Sequence, residues 1–398
     1  MRIRTSIIGY TVTNKNRLQM IEIREIGRSR KDLKKFVQFA IGLYRGCDCY
    51  VPPMIESEID ILDEKVNPAF DFCESVYYMA FRDGKPVGRI AGFINRSANR
   101  KFNEGQCRFG FVDFIDDPEV SRRLLDTVSE WGRRKGMDCL MGPMGMTDLD
   151  YEGCLTEGFD QLTTSQTIYN YPYYPKHFEA YGLQADIRAN EYRMRVPDAV
   201  PEKYTRISEI VAKRLGLRVI ADTDSKHIVK TWGHKIFQLL NEAYAPLYGF
   251  TELTPRQIEY YINLWLPQVR LDLVRLVIDQ DDRLVAFGIC CPSLSRAQQK
   301  ARGRMWPFGW IHLAKAMYFK GGTDTLDLLL VAVRPEYQGK GVNALLFPEI
   351  IREAIRSGFK WAESNPELET NARVQEMWKD FNPVCHKRRC IYKQSIAK

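Results

Sequence analysis

The stretch LDLLLVAVRPEYQGKGVNALLF, Leu326 to Phe347, runs through three kinds of sequence in turn. Leu326–Val333, apolar apart from one Asp, suits a buried strand. Arg334 and Pro335 break the run, and Gln338-Gly339-Lys340-Gly341 then opens a helix. The first N–H groups of a helix have no internal partner, and the helix dipole adds partial positive charge there. Glycines let an anion approach such a main chain closely. No acidic residue lies between Gln338 and Asn343, and Lys340 adds a positive charge. Glu336, just upstream, must turn away if an anion is to sit here. The motif is neither of the common nucleotide patterns. GxxxxGK[ST] is absent, and GxGxxG lacks its third glycine after Gly339 and Gly341.

Working outward, the elements around this turn repeat a plan seen in the first half of the chain. "YYMAFRDGKPVGRIAGFI" reads as a hairpin about Asp83-Gly84. "RFGFVDFIDD" is a strand, and "PEVSRRLLDTVSEWGRRKG" a helix with Pro118 in its first turn and Gly136 past its end. The second half has helical patterns around Val229–Tyr244 and Pro255–Trp265, then a second hairpin, "DLVRLVIDQDDRLVAFGICC". After an insertion come the opening strand, the glycine turn and a helix ending near Gly358. "KWAES", "ETNARVQEMWKDF" and "RRCIYKQSI" follow as strand, helix and closing strand. The expected organisation is α/β, with domains over 20–196 and 197–398 joined near "VPDAVPEKY", where two prolines interrupt both periodicities. Residues 1–19 have no periodicity and read as a flexible extension or a misassigned start, outside the fold.

Bulk properties narrow the function classes. The 398 residues carry a net charge of +8, which suits a polyanionic ligand, nucleic acid or an acidic membrane surface. No element pairs interleaved basic and aromatic residues as nucleic-acid motifs do, so no nucleic-acid partner is expected. No apolar run reaches the length of a membrane span and no signal-peptide pattern is present, so the expected location is cytoplasmic. The ten cysteines are scattered without a CxxC pair, and the five histidines stand at no ligand spacing from them. Most of these cysteines are expected as small buried residues, with no metal site. The basic run His386-Lys387-Arg388-Arg389 reads as the solvated or edge face of a strand.

"VAVRPEYQGKGVNALL" resembles the acyl-CoA signature of the GNAT superfamily of N-acyltransferases, (Q/R)xxGx(G/A). Gln338, Gly341 and Asn343 stand at the three defined positions, Asn343 replacing the usual small residue. The element order from about Leu217 onward matches that fold. The first half resembles it in outline, but "FGFVDFIDDPEV" puts Asp113, Asp116 and Asp117 where the cradle would be. With "YRGCDCYVPP", "DGKPVGRIAGFIN" and "YNYPYYP", the chain is similar to bacterial proteins with two GNAT-like domains in tandem. Each domain is then a mixed, mostly antiparallel sheet flanked by helices.

The resemblance implies an N-acyltransferase that uses acetyl-CoA or a longer acyl-CoA as co-substrate. The active site would lie in the second domain, and the first would be structural or substrate-binding. Main-chain groups of Val331 and Val333 would pair with the pantetheine arm. The N–H groups of Gln338, Gly339, Lys340, Gly341, Val342 and Asn343 would hold the pyrophosphate, with Asn371 near the acyl group. An amine, on a small molecule or a peptide, would attack the thioester directly. Many members carry a tyrosine in the last helix as the acid, and Trp378 stands there in this chain, so Tyr337, Tyr392 or solvent would serve. Glu363 is the expected base, with Glu369 beside it. The insertion places Trp306, Phe308, Trp310, Leu313, Met317 and Phe319 in one span. These side chains would lie on the core, wall an acyl pocket, or touch a membrane surface through 300–320. A non-catalytic CoA-binding or scaffold protein is the alternative, favoured by Trp378 and the degenerate first half.

Overall fold

A computed structural model describes residues 20–397, apart from 222–223, 225–226 and 266–268. The expected extension over 1–19 lies outside the described residues. The first half comprises β1 (Ile21–Glu25), α1 (Arg30–Leu43), α2 (Ile55–Leu62), β2 (Cys73–Arg82), β3 (Lys85–Asn95) and α3 (Arg96–Phe102). It continues with β4 (Gln106–Phe114), α4 (Pro118–Arg134), β5 (Cys139–Gly142), β6 (Cys154–Glu157), α5 (Tyr173–Tyr181) and β7 (Gln184–Arg195). The second half opens with α6 (Glu202–Leu215), β8 (Arg218–Ile220), α7 (Gly233–Tyr244), α8 (Pro255–Trp265), β9 (Val274–Ile278) and β10 (Leu284–Pro292). The insertion is α9 (Ser295–Ala301) and α10 (Gly309–Tyr318), followed by β11 (Thr325–Val333), α11 (Asn343–Ser357) and β12 (Trp361–Ser364). The chain closes with β13 (Glu367–Leu368), α12 (Ala372–Trp378) and β14 (Val384–Ser395).

Local chemistry accounts for the two hairpins. Asp83 (φ 50°) and Gly84 (φ 74°) both take the left-handed region that a two-residue hairpin turn demands. In the second, the Asp279 carboxylate accepts from the N–H groups of Asp281 (3.0 Å) and Arg283 (2.9 Å). Each hairpin lays an apolar face on helices. Ile90 and Ile94 meet Leu124 and Val128 of α4, and Leu276 and Phe287 meet Ile236 and Leu240 of α7.

The strands form one mixed sheet in the order β1-β2-β3-β4-β5-β14-β7-β12-β11-β10-β9-β8, with β6 on β14 and β13 on β7. Only β4–β5 and β11–β12 are parallel among the described pairs. The order reveals a reciprocal exchange. β7 leaves the first half to pair with β12, and β14 leaves the second to pair with β5. The two exchanged strands pair with each other at the centre.

This exchange corrects the reading of His386–Arg389 as a solvated or edge face. β14 is central, and alternate side chains of the run point into the protein. Lys387 Nζ lies 2.8 Å from both Glu191 and Glu363, and Arg389 pairs with Glu191, all of them buried. Charges at this depth are tolerated because each has a partner on a neighbouring strand. Of the ten cysteines, all free, six are buried. No helix of the described residues is long and apolar enough to cross a membrane.

Candidate active site

The turn from β11 to α11 leaves its main chain open. Gly339 (φ 74°) and Gly341 (φ 84°) both adopt left-handed conformations. A Cβ on Gly339 would meet nothing within 4 Å, so the loop faces open space. The N–H groups of Gly339, Gly341, Val342 and Asn343 make no hydrogen bond among the described residues, and no side chain caps the helix at Val342. Glu336 does turn away, pairing with Arg283 at 3.0 Å. Arg214 of α6 donates to the Lys340 carbonyl at 2.7 Å and brings a second cation to the turn. Unpaired donors, two cations and no facing carboxylate fit the pyrophosphate of an acyl-CoA substrate.

Below the turn the sheet forks. β11 and β12 pair over four residues, Thr325–Leu328 with Trp361–Ser364, and then separate. Asn365 Nδ2 donates to the Leu329 carbonyl (3.0 Å) at the fork. The open edge of β11 borders a cavity of about 1050 Å³ that extends from the glycine turn into the seam between the halves. Its walls are mainly apolar. Ile236, Leu240, Phe287 and Leu346 come from the second half, and Met144 and Ile187 from the first. A cavity of this size accommodates a long aliphatic chain.

One wall is polar and belongs to the first half. Arg108, Asp148, Asp150 and Glu152 line the cavity, the last three on the loop between β5 and β6. Asp150 is fixed by the N–H of Thr147 (2.8 Å). The carboxylates of Asp148 and Glu152 make no hydrogen bond or ion pair among the described residues. Burial pushes the Asp148 carboxyl up to about 6, with Arg108 moderating the rise. Burial and then the charge of Asp148 push Glu152 up to about 8. Tyr244 ties this wall to the fork. Its hydroxyl donates to the Val331 carbonyl (3.2 Å), and burial and then the Asp148 charge raise its phenol to about 12.

A further carboxyl comes from β13. Glu367 Oε1 accepts from Trp378 Nε1 at 2.7 Å, while its buried Oε2 has no partner among the described residues. Burial, working against that hydrogen bond, lifts Glu367 to about 7. Both residues line the cavity.

No family model matches the chain. It is 25% identical over 376 residues to Protein YghO of Escherichia coli (strain K12), covering 92% of this chain and 94% of that one. It is 24% identical over 377 residues to the Bacterial ceramide synthase of Caulobacter vibrioides, covering 92% and 95%. Among solved structures, a tandem GNAT protein from the clavulanic acid biosynthesis pathway superposes with a TM-score of 0.55 at 11% identity, covering 95% of this chain and 99% of that one. The GCN5-related glucosamine N-acetyltransferase region of a fungal GH3 β-N-acetylglucosaminidase gives 0.52 at 12% identity, covering 94% and 38%. The chain has the tandem GNAT fold.

Within this GNAT fold the residues singled out from sequence fall in different places. Val331, Val333, Tyr337, Gln338, Gly339, Gly341, Val342, Asn343 and Asn371 line the cavity, and Lys340 stands exposed at its mouth. Two of the expected pantetheine contacts are engaged internally, since the Val331 carbonyl accepts from Tyr244 and that of Val333 from Gln338 Nε2 (3.1 Å). The Asn343 amide nitrogen lies 2.9 Å from Met377 Sδ, and its buried Oδ1 has no partner among the described residues.

Glu363 as base is corrected. It does not line the cavity, and although burial opposes its ionisation, His386 at 3.0 Å and the Lys387 charge hold it at about 2. Such a carboxylate is a poor proton acceptor at neutral pH. Glu191, Glu363 and His386 approach one another as metal ligands can, but the Lys387 ammonium already lies against both carboxylates. Glu369 is also off the cavity, with its carboxylate 3.8 Å from Arg388. Tyr392 is buried in the first half's core against Phe178, and burial raises its phenol further out of range. None of Trp306, Phe308, Trp310, Leu313, Met317 and Phe319 walls the cavity, and of these only Met317 is buried. Sequence reasoning missed Asp148, Glu152, Tyr244 and Glu367. "TDLDYEG" reaches the cavity only through its position across the seam, which its own sequence does not signal.

Proposed function

We propose that this protein transfers a long acyl chain from acyl-CoA to an amine, with both halves contributing to one site in the second half's fork. The observation that carries this reading is the placement of an unsatisfied helix N-terminus at the mouth of a large apolar cavity, with unpaired carboxyls in its walls. A relative named for ceramide synthesis agrees with amide formation on a lipid-like amine. The apolar walls favour acyl groups longer than acetyl.

Bound acyl-CoA supplies an activated thioester. The N–H groups of Gly339, Gly341, Val342 and Asn343, with Lys340 and Arg214, hold its pyrophosphate. Asp148, ionised near neutral pH, receives the acceptor ammonium and takes a proton from it, leaving a nucleophilic amine. The C–N bond forms as the C–S bond breaks. Glu367, with its carboxyl near 7, gives a proton to the departing sulfur, the task the resemblance gives to a tyrosine at position 378. Trp378 orients that carboxyl instead of donating to the substrate. The second proton shed by the nitrogen restores Glu367, and that on Asp148 returns to water. The scaffold alternative loses its main support once Glu367 stands beside Trp378.

The test is incubation with palmitoyl-CoA or acetyl-CoA and long-chain amines, with product read by mass spectrometry. Wild type should form amides faster from palmitoyl-CoA. Asp148→Asn should lower kcat roughly 100-fold or more while acyl-CoA still binds. Binding of palmitoyl-CoA without transfer to any amine would return the scaffold reading.

A further inference from the structure

The inserted hairpin of α9 and α10 presents a face that the other described residues leave uncovered. Seven of the thirteen exposed large apolar side chains among the described residues fall between Met305 and Phe319. Trp306 is 77% exposed, Phe308 69% and Phe319 66%. Scattered exposed apolar residues are ordinary, but a cluster of aromatics marks a contact surface. α10 sits on the domain through Gly309, Ala316 and Met317, which leaves Ile311, Lys315 and Tyr318, spaced i, i+4 and i+7, facing outward.

Charge decides what this surface suits. From Ser295 to Thr323 there is no Asp or Glu, while Arg296, Lys300, Arg302, Arg304, Lys315 and Lys320 are cationic. The side chains of the last five make no hydrogen bond or ion pair among the described residues, and all are exposed. A second copy of the chain is a poor partner, because a two-fold contact would set the same uncompensated cations against each other. Trp and Phe prefer the boundary between headgroups and acyl chains, and Lys and Arg gain from anionic headgroups beside it.

We infer that this hairpin docks the protein on the surface of an anionic lipid bilayer, with Trp306, Phe308 and Phe319 entering the headgroup region. The test is co-sedimentation of the full chain with vesicles of phosphatidylglycerol and phosphatidylcholine in equal parts, and with phosphatidylcholine alone. Wild type should partition onto the mixed vesicles at least about tenfold more strongly. Trp306→Ala with Phe308→Ala should weaken partitioning about tenfold or more on the mixed vesicles. Lys315→Glu with Lys320→Glu should remove most of the anionic preference, again about tenfold. All four side chains are exposed, so thermal unfolding should not move. Equal partitioning onto both vesicles, or none onto either, overturns the inference. So does a dimer in sedimentation equilibrium that the Trp306/Phe308 variant dissociates. No acyl-CoA enters the assay, so its failure and that of acyl transfer are separately visible.

Discussion

The two halves of the molecule reach the same point, a parallel strand leading into a helix, and finish it in opposite ways. After β4, Asp117 caps α4 by accepting from the N–H groups of Glu119 (2.9 Å) and Val120 (3.4 Å), and it also pairs with Arg82. Asp116 beside it lies 2.8 Å from His177. After β11, two glycines take left-handed conformations, and among the described residues no side chain caps α11 and four N–H groups have no partner. One helix start is satisfied from within the fold. The other keeps its first N–H groups without a partner among the described residues, and the proposed acyl-CoA site rests on that difference. The first half also lines the cavity, for its β5–β6 loop carries Asp148 and Glu152 to the seam.

The largest effect should come from making the open turn resemble the closed one. Gly341→Glu adds a carboxylate and forces a side chain into φ 84°. Losing even two charge-assisted N–H contacts should weaken acyl-CoA binding at least about 100-fold in calorimetric titration. Unchanged affinity would mean that the pyrophosphate lies elsewhere.

The division of labour across the seam predicts a pH profile. Asp148 must be ionised and Glu367 protonated, so kcat/KM should rise through about 6 and fall through about 7. Glu367→Gln should remove the falling limb and lower the maximum roughly tenfold or more. Stability carries its own signature. The folded carboxyl of Glu152 is raised to about 8, so its contribution is fully present below the ordinary Glu range and is lost as pH rises through 8. Glu152→Gln should therefore match wild type in melting temperature at acid pH and exceed it increasingly toward pH 9.

What was legible in the sequence was what depends on near neighbours. The Asp83-Gly84 hairpin, the Pro118 helix start and the Gly339-Gly341 turn each follow from the conformational needs of a few consecutive residues. The strand exchange does not, because the periodicity of β14 is the same whether its neighbour is β12 or β5. Lys387 and Arg389 looked solvated for that reason: their partner Glu191 lies on β7, far away in sequence. The same limit hid the carboxyls. Glu363 stood on the expected strand but faces away from the cavity, whereas Glu367 owes its raised carboxyl to burial beside Trp378, which only the packed chain supplies.

Closing the comparison from the other side gives a smaller effect. Asp117→Ala removes a cap and leaves Arg82 without its carboxylate, and should cost about 1 kcal/mol in urea unfolding. Acyl-CoA affinity should not change, since this helix start holds no ligand. A new anion site at α4 is not expected, because Asp116 remains and the turn lacks the glycines of its counterpart.

The smallest effect belongs to Arg214, whose guanidinium reaches the open turn from α6. It has two separable roles. As a solvent-exposed cation it should contribute about two- to fivefold to acyl-CoA affinity, and high salt should erase that share. As a donor to the Lys340 carbonyl it helps hold the turn in the shape that directs its N–H groups outward, and salt screens a neutral acceptor far less. Arg214→Ala titrated at low and high ionic strength separates the two. A loss that vanishes in salt marks attraction alone. A loss that persists marks Arg214 as a brace for the open turn, the part that the Asp117 cap plays inside the closed one.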